Sequence, residues 1–381
     1  MKQTASIIST YTADAMGVCS ALFELGGMSV MHDASGCNST YNTHDEPRWY
    51  DMDSLVFISG LSEMEAVMGD DEKLVEDVVR AAKDLHPNFI ALAGTPIPMM
   101  TGIDLHAIAQ LVEKRTGIPS FGFDTNGMHS YLAGASAAWL ALARRFLPET
   151  AEKEAKTVNI LGATPLDFSV NGYVDSLRRW LAEQGWQAGA VWAMGSSLDE
   201  LKRSGAAAVN LVVSWSGLAL ARFLKERYGA PYVAGLPMGR AFGAKVQQAL
   251  LAAASDGEDR VAFTDRGDTA DADTVVIGES VAAGSLAAAL TLEQGRAVRV
   301  LCPLETEASL LNAGDVIAPD EDDIVPYLSG VDALIADPLY KPIFRGRRFI
   351  SWPHEGFSGR IFRRDIPDLT FSLNKIFSEK E

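Results

Sequence analysis

Cysteine is scarce in this chain. Only three occur in 381 residues, at Cys19, Cys37 and Cys302. Three thiols cannot build a disulfide framework, and the count fits a reducing compartment. No two of them form a CxxC pair, which excludes a zinc ribbon and a thioredoxin-type motif. No run of eighteen apolar residues occurs, so no membrane-spanning helix is expected. Met1-Lys2-Gln3-Thr4 is not a basic segment leading into an apolar one, so a secretory leader is not expected and the expected location is cytoplasmic. Positive charge is also short: 33 Lys and Arg stand against 50 Asp and Glu, for a net charge of −17. Such a chain repels phosphate backbones, so nucleic acid is not an expected partner. The excess acid serves solubility, or steers a basic protein partner. Neither GxGxxG nor a P-loop lysine is present, which argues against ATP hydrolysis by this chain.

Apolar residues make up 48% and charged residues 22%, a globular balance, and the length suits two or three domains. Short β-branched runs alternate with amphipathic stretches, the pattern of βαβ units. Strands are expected at Met28–His32, Leu55–Ser59, Phe89–Ala93 and Ser120–Phe123, with helices at Glu72–Leu85, Leu105–Thr116 and Ser130–Phe146. The charged Glu152–Lys156 reads as a linker. A second unit follows, with strands at Thr157–Gly162, Gly189–Met194, Val209–Ser214 and Tyr232–Ala234, and helices at Gly172–Gln184, Leu218–Tyr228 and Ala244–Ala254. The Asp- and Gly-rich Ser255–Asp273 reads as a second linker. The third unit has strands at Thr274–Gly278, Val298–Leu301, Val316–Ala318, Ala333–Ala336 and Phe349–Trp352. The expected architecture is α/β: three doubly wound, parallel-sheet, Rossmann-like domains at 1–156, 157–270 and 271–381.

Chemistry is expected at strand carboxyl ends, where such sheets present reactive groups. Cys37 lies just past the first strand, in His32-Asp33-Ala34-Ser35-Gly36-Cys37, where Gly36 permits a tight turn and close approach of a bulky group. Cys19 precedes the apolar Ser20–Leu25, and a helix N-terminus there would favour its thiolate. Taken alone, each cysteine is either a metal ligand or a small buried apolar residue. His32 is a neighbour of that loop or a satisfied strand histidine. His44-Asp45-Glu46 with Asp51 and Asp53, beside Trp49 and Tyr50, reads as a solvated acidic loop, or as a proton donor. Gly162-Ala163-Thr164 with Gly172 is a weak phosphate-cradle pattern. Cys302 reads as a structural thiol.

Gly17–Cys19, then His32 to Cys37, then Val67-Met68-Gly69-Asp70-Asp71-Glu72-Lys73-Leu74 resemble, in order and spacing, the opening of nitrogenase component 1 subunits. Ala93-Gly94-Thr95-Pro96-Ile97-Pro98 is similar to that family's loop carrying a third cysteine, with Thr95 at the approximate cysteine position. Val158–Gly162, Gly235-Leu236-Pro237-Met238-Gly239 and Val331–Arg360, including Ile350-Ser351-Trp352-Pro353-His354, extend the resemblance over most of the chain.

The resemblance implies an oxygen-sensitive iron–sulfur oxidoreductase in which Cys19 and Cys37 are the cofactor-binding and metal-binding residues. A 4Fe–4S cluster takes four thiolates. Two chains in a homodimer, or in a heterodimer with a paralogue, supply them at a two-fold interface. The resemblance further implies an ATP-dependent iron–sulfur reductase as electron donor and a small-molecule substrate in an interdomain cavity near Ser214, Gly235–Gly239 and His354. Ser214 stands approximately where the family's cofactor cysteine stands, and serine is a poor ligand for a soft centre. Two rival readings are a cluster or metallocofactor scaffold and a metal-free small-molecule binding protein.

Overall fold

The computed structural model describes residues 5–7, 12–34 and 46–377. Three parallel sheets follow one another along the chain. The first contains β1 (Met28–His32), β2 (Leu55–Ile58), β3 (Ile90–Gly94) and β4 (Ser120–Phe123), in the order β2-β1-β3-β4. The second contains β5 (Glu154–Leu161), β6 (Gln187–Val191), β7 (Ala207–Val212), β8 (Tyr232–Ala234) and β9 (Arg260–Val261), ordered β6-β5-β7-β8-β9. The third contains β10 (Thr274–Ile277), β11 (Val298–Cys302), β12 (Val316–Ile317), β13 (Ala333–Ala336) and β14 (Arg348–Ser351), ordered β12-β11-β10-β13-β14.

All pairings within the three sheets are parallel, with Met28 opposite both Leu55 and Ile90, and Thr274 opposite both Val298 and Ala333. Central strands covered by helices on both faces must be apolar throughout. β1, β3 and β10 are accordingly buried at every position. In each sheet the winding reverses beside its first strand: between β1 and β3, β5 and β7, and β10 and β13. Crevices open at the carboxyl side of such reversals.

Helix Asp14–Leu22 packs on helix Tyr131–Phe146 at glycine contacts. A Cβ on Gly17 would lie 2.0 Å from the Tyr131 carbonyl oxygen, and one on Gly134 would lie 1.9 Å from that of Asp14. Each glycine thus lets one helix backbone rest on the other, which fixes the depth of Cys19 against the first sheet. One hydrophobic core runs through all three units, from Trp139 through Trp192 and Phe242 to Phe263 and Ala287.

Both expected linkers are structured. β5 begins at Glu154, inside the charged run, and Lys156 adopts a positive φ of 62°. The segment 255–273 supplies β9 and Arg266, whose guanidinium pairs with Asp315 at 2.5 Å with both side chains 2% exposed. Composition alone hides such a pair, because a buried ion pair and a solvated loop use the same residue types. The helix expected at Ala244–Ala254 extends from Gly239 to Asp256, and Glu293 caps its first turn by accepting from the backbone N–H of Ala241 at 2.9 Å. No described helix is long and apolar enough to cross a membrane.

Candidate functional site

The carboxyl edge of the first sheet gathers His32, Asp33 and Thr95, and Cys19 packs on the neighbouring face of the sheet against Met31 and Val56. Cys19 lies well inside helix Asp14–Leu22, so the expected help from a helix N-terminus is not there. Its side chain is fully buried with Phe23, Met31 and Val56, flanked by Met16, Trp49 and Ile58. Burial, and then the nearby Glu46 carboxylate, push its thiol up to about 12. Without a bound cation this group is a neutral thiol, and a coordinating metal removes the proton outright. An apolar sulfur-lined wall suits a soft inorganic cluster better than a hard cation. Cys37 lies outside the described residues. Among the described residues no three His, Cys, Asp or Glu side chains converge as a metal site. Cys19 is therefore the one cysteine that the described residues place in the first unit, a single donor.

Thr95 stands at the start of the short helix Pro96–Met100, but its hydroxyl does not cap it. Instead the hydroxyl donates to the His32 carbonyl at 3.1 Å and to Asp33 Oδ1 at 2.9 Å, closing the reversal between β1 and β3. His32 is satisfied by Ser59 Oγ at 2.8 Å from Nδ1, and burial lowers its pKa.

The acidic loop is not simply solvated. His44 and Asp45 lie outside the described residues and Asp51 and Asp53 are exposed, but Glu46 is buried and accepts from Ser20 Oγ at 2.8 Å. Arg48, which sequence reasoning missed, is buried beside it. Its guanidinium pairs with Glu46 at 2.7 Å and Glu24 at 2.8 Å, and donates to the carbonyls of Ser20 and Ala193 at 2.7 Å. Glu46 and Arg48, where the described chain resumes, are thus fastened to the residue next to Cys19 and to the second sheet. The spacing Glu24…Glu46…Arg48 was the available signal, but charges 22 residues apart announce nothing until the fold joins them.

A second cluster lies where the three units meet. Tyr131 donates to Asp167 Oδ1 at 2.5 Å, and His354 Nε2 lies 3.3 Å from the same oxygen and 3.4 Å from the Tyr131 hydroxyl. His354 Nδ1 accepts from the Gly356 N–H at 3.1 Å, so Nε2 is the nitrogen free to carry the proton toward Asp167. Glu279, at the end of β10, accepts the Trp215 N–H at 2.9 Å, linking the third unit to the second. Burial and the neighbouring Asp167 raise its pKa to about 7.

The expected substrate region is closed. Asp167, Leu236, Met238 and His354 line a cavity of only about 20 Å³, room for one water. Ser214 is buried against Ser216 and Gly162. Thr164 hydrogen-bonds Asp167, so the weak phosphate-cradle pattern is satisfied internally. A larger cavity of about 670 Å³ lies beyond Tyr131, at the carboxyl ends of β11 and β12, lined by His129, Ser130, Trp215, Leu304, Glu305 and Thr306. The Trp215 indole N–H and the Thr306 hydroxyl have no hydrogen-bond partner among the described residues. Cys302 is buried at the end of β11, and burial drives its pKa well up.

Three doubly wound parallel sheets, each reversing beside its first strand, define an α/β protein of three Rossmann-like layers. Residues 14–276 match the family described as nitrogenase component 1 type oxidoreductase, and the chain belongs to that family. It is 31% identical over 181 residues to a light-independent protochlorophyllide reductase subunit of Nostoc punctiforme, covering 45% of this chain and 36% of that protein. It is 26% identical over 179 residues to the nitrogenase iron-molybdenum cofactor biosynthesis protein NifE of Clostridium pasteurianum, covering 46% and 38%. The matched region thus spans well under half the length of these two relatives. The fold is also that of a solved structure of nitrogenase Cp1 at pH 5, with a TM-score of 0.63 over 91% of this chain and 84% of that one, at 16% identity.

Proposed function

We propose that this chain is the cluster-carrying subunit of a nitrogenase-like oxidoreductase of the cytoplasm. In this reading Cys19 and Cys37 from each of two subunits hold one 4Fe–4S cluster, with 1–156 as the dimerising unit. The partner is a second copy or a paralogue. An ATP-dependent iron–sulfur reductase is the electron donor, and a small molecule in the interdomain space is the acceptor. When bound, such a cluster supplies one-electron storage. The observation that carries the reading is the seating of Cys19 in an apolar pocket against the first sheet, within a chain of this family.

The chain's own residues have distinct tasks in this account. Phe23, Met31 and Val56 exclude water around Cys19. Arg48 and Glu46 tie the segment that resumes at residue 46 to the helix that carries Cys19. The cavity beside Ser130, Trp215 and Glu305 is the substrate space, since its volume suits a small organic ligand. Tyr131, Asp167 and His354 form a buried hydrogen-bonded cluster behind Ser130, on the small closed cavity rather than in the lining of this one.

The second reading is a metallocofactor scaffold, supported by the likeness to a protein named for cofactor biosynthesis. Anaerobic purification followed by addition of a reduced iron–sulfur donor separates the two. A reductase keeps its iron and is reoxidised only when substrate is added. A scaffold loses its iron to an acceptor protein.

A further inference from the structure

The chain is strongly acidic, yet residues 341–375 carry eight Lys and Arg against three Asp and Glu. This reversal coincides with a cavity of about 720 Å³ along β14, an edge strand of the third sheet. Three of the cations, Lys341, Arg348 and Lys375, line it. None of the three forms an ion pair among the described residues. Two of them lie over aromatic rings. Lys341 Nζ is 6.0 Å from the ring centre of Phe349, and Arg348 Cζ is 5.6 Å from that of Phe377. Phe362 adds a third ring, and Asp365 is the one acidic side chain in the lining.

Charges on an edge strand also discourage pairing with other chains. That role needs neither a cavity nor an aromatic wall. Elsewhere on this surface, cations such as Arg115, Arg145 and Arg222 are held by carboxylates. Here cations without carboxylate partners among the described residues surround a ligand-sized space with flat apolar walls. Cations of this kind bind phosphate oxygens by charge-assisted hydrogen bonds, and aromatic rings accept a planar base. We propose that this cavity binds an aromatic organophosphate of nucleotide size, with Lys341, Arg348 and Lys375 on the phosphates and Phe349, Phe362 and Phe377 against the ring. The site is separate from Cys19 and from the Tyr131–Asp167–His354 junction, and it does not depend on iron.

The test is titration calorimetry of the full chain with ADP, pyrophosphate and adenosine at low salt. ADP is expected to bind one-to-one with a Kd of about 10–100 µM. Pyrophosphate and adenosine, each lacking half of the recognised chemistry, should bind at least about tenfold more weakly. Arg348→Glu should weaken ADP at least about tenfold without lowering the thermal midpoint, because its guanidinium is exposed. Lys114→Glu, an exposed charge change on the first unit, should leave the affinity unchanged. Absence of ADP binding at about 2 mM overturns the site. So does equal affinity for pyrophosphate and ADP, or equal loss in the two variants, since either marks non-specific attraction to charge.

Discussion

The Thr95 hydroxyl lies 2.9 Å from Asp33 Oδ1 and joins the ends of two strands that are 62 residues apart in sequence. In the family resemblance this is the approximate place of a third cysteine. Here the position carries a hydroxyl that is fully engaged with its own chain.

Thr95→Val keeps the shape and removes the donor. It should destabilise the fold by about 1–3 kcal/mol, because a buried carbonyl and carboxylate lose a partner. Thr95→Ser should retain most of the stability. Chemical denaturation measures both, and equal midpoints for Val and wild type would contradict the assignment.

Arg48→Met leaves the buried Glu46 and the half-buried Glu24 without their shared cation. The expected loss is about 3–5 kcal/mol, larger than for any exposed pair in this chain. Urea denaturation at neutral pH gives the value directly. A loss below about 1 kcal/mol would mean that Arg48 does not fasten its segment to the Cys19 helix.

Glu279 carries a pH signature. Its folded-state pKa, raised from 4.5 to about 7 by burial and by Asp167, means the native chain holds more protons than the unfolded chain between those values. Stability should therefore fall as pH rises through this window and level off above about 7, with a slope approaching about 1.4 kcal/mol per unit. Glu279→Gln should flatten that slope. An unchanged slope in the variant would assign it to other groups.

Cys19 should be chemically silent in metal-free folded protein. A thiol pushed up to about 12 is about one part in ten thousand thiolate at pH 8. Iodoacetamide followed by peptide mass spectrometry should label Cys19 only after unfolding. Rapid labelling of the native chain would place it in a different environment.

Much of this was legible in the sequence, and the failures have physical causes. Met28–His32 and Ser120–Phe123 are short apolar runs between turn residues, and both are strands with those bounds. Leu105–Thr116 shows apolar residues at helical spacing and ends at Gly117, which is left-handed at φ 72°. Glu154–Lys156 was hidden because a strand end at the sheet's rim tolerates charge on exposed positions. Glu46 and Arg48 were hidden because burial of a charge depends on partners brought from far along the chain. The closed packing around Gly235–Gly239 was hidden for a related reason. Gly235–Gly239 looks like an open loop, yet Glu293 and the third unit fill its surroundings, and the larger cavity lies on the other side of Tyr131.

The central claim is that thiolates from two chains share one inorganic cluster. Iron and acid-labile sulfide should be counted per dimer after oxygen-free purification, for wild type, Cys19→Ser and Cys37→Ser. The account predicts about four of each in wild type and loss in both variants. A colourless, iron-free wild type, or iron retained in full by Cys19→Ser, would contradict it.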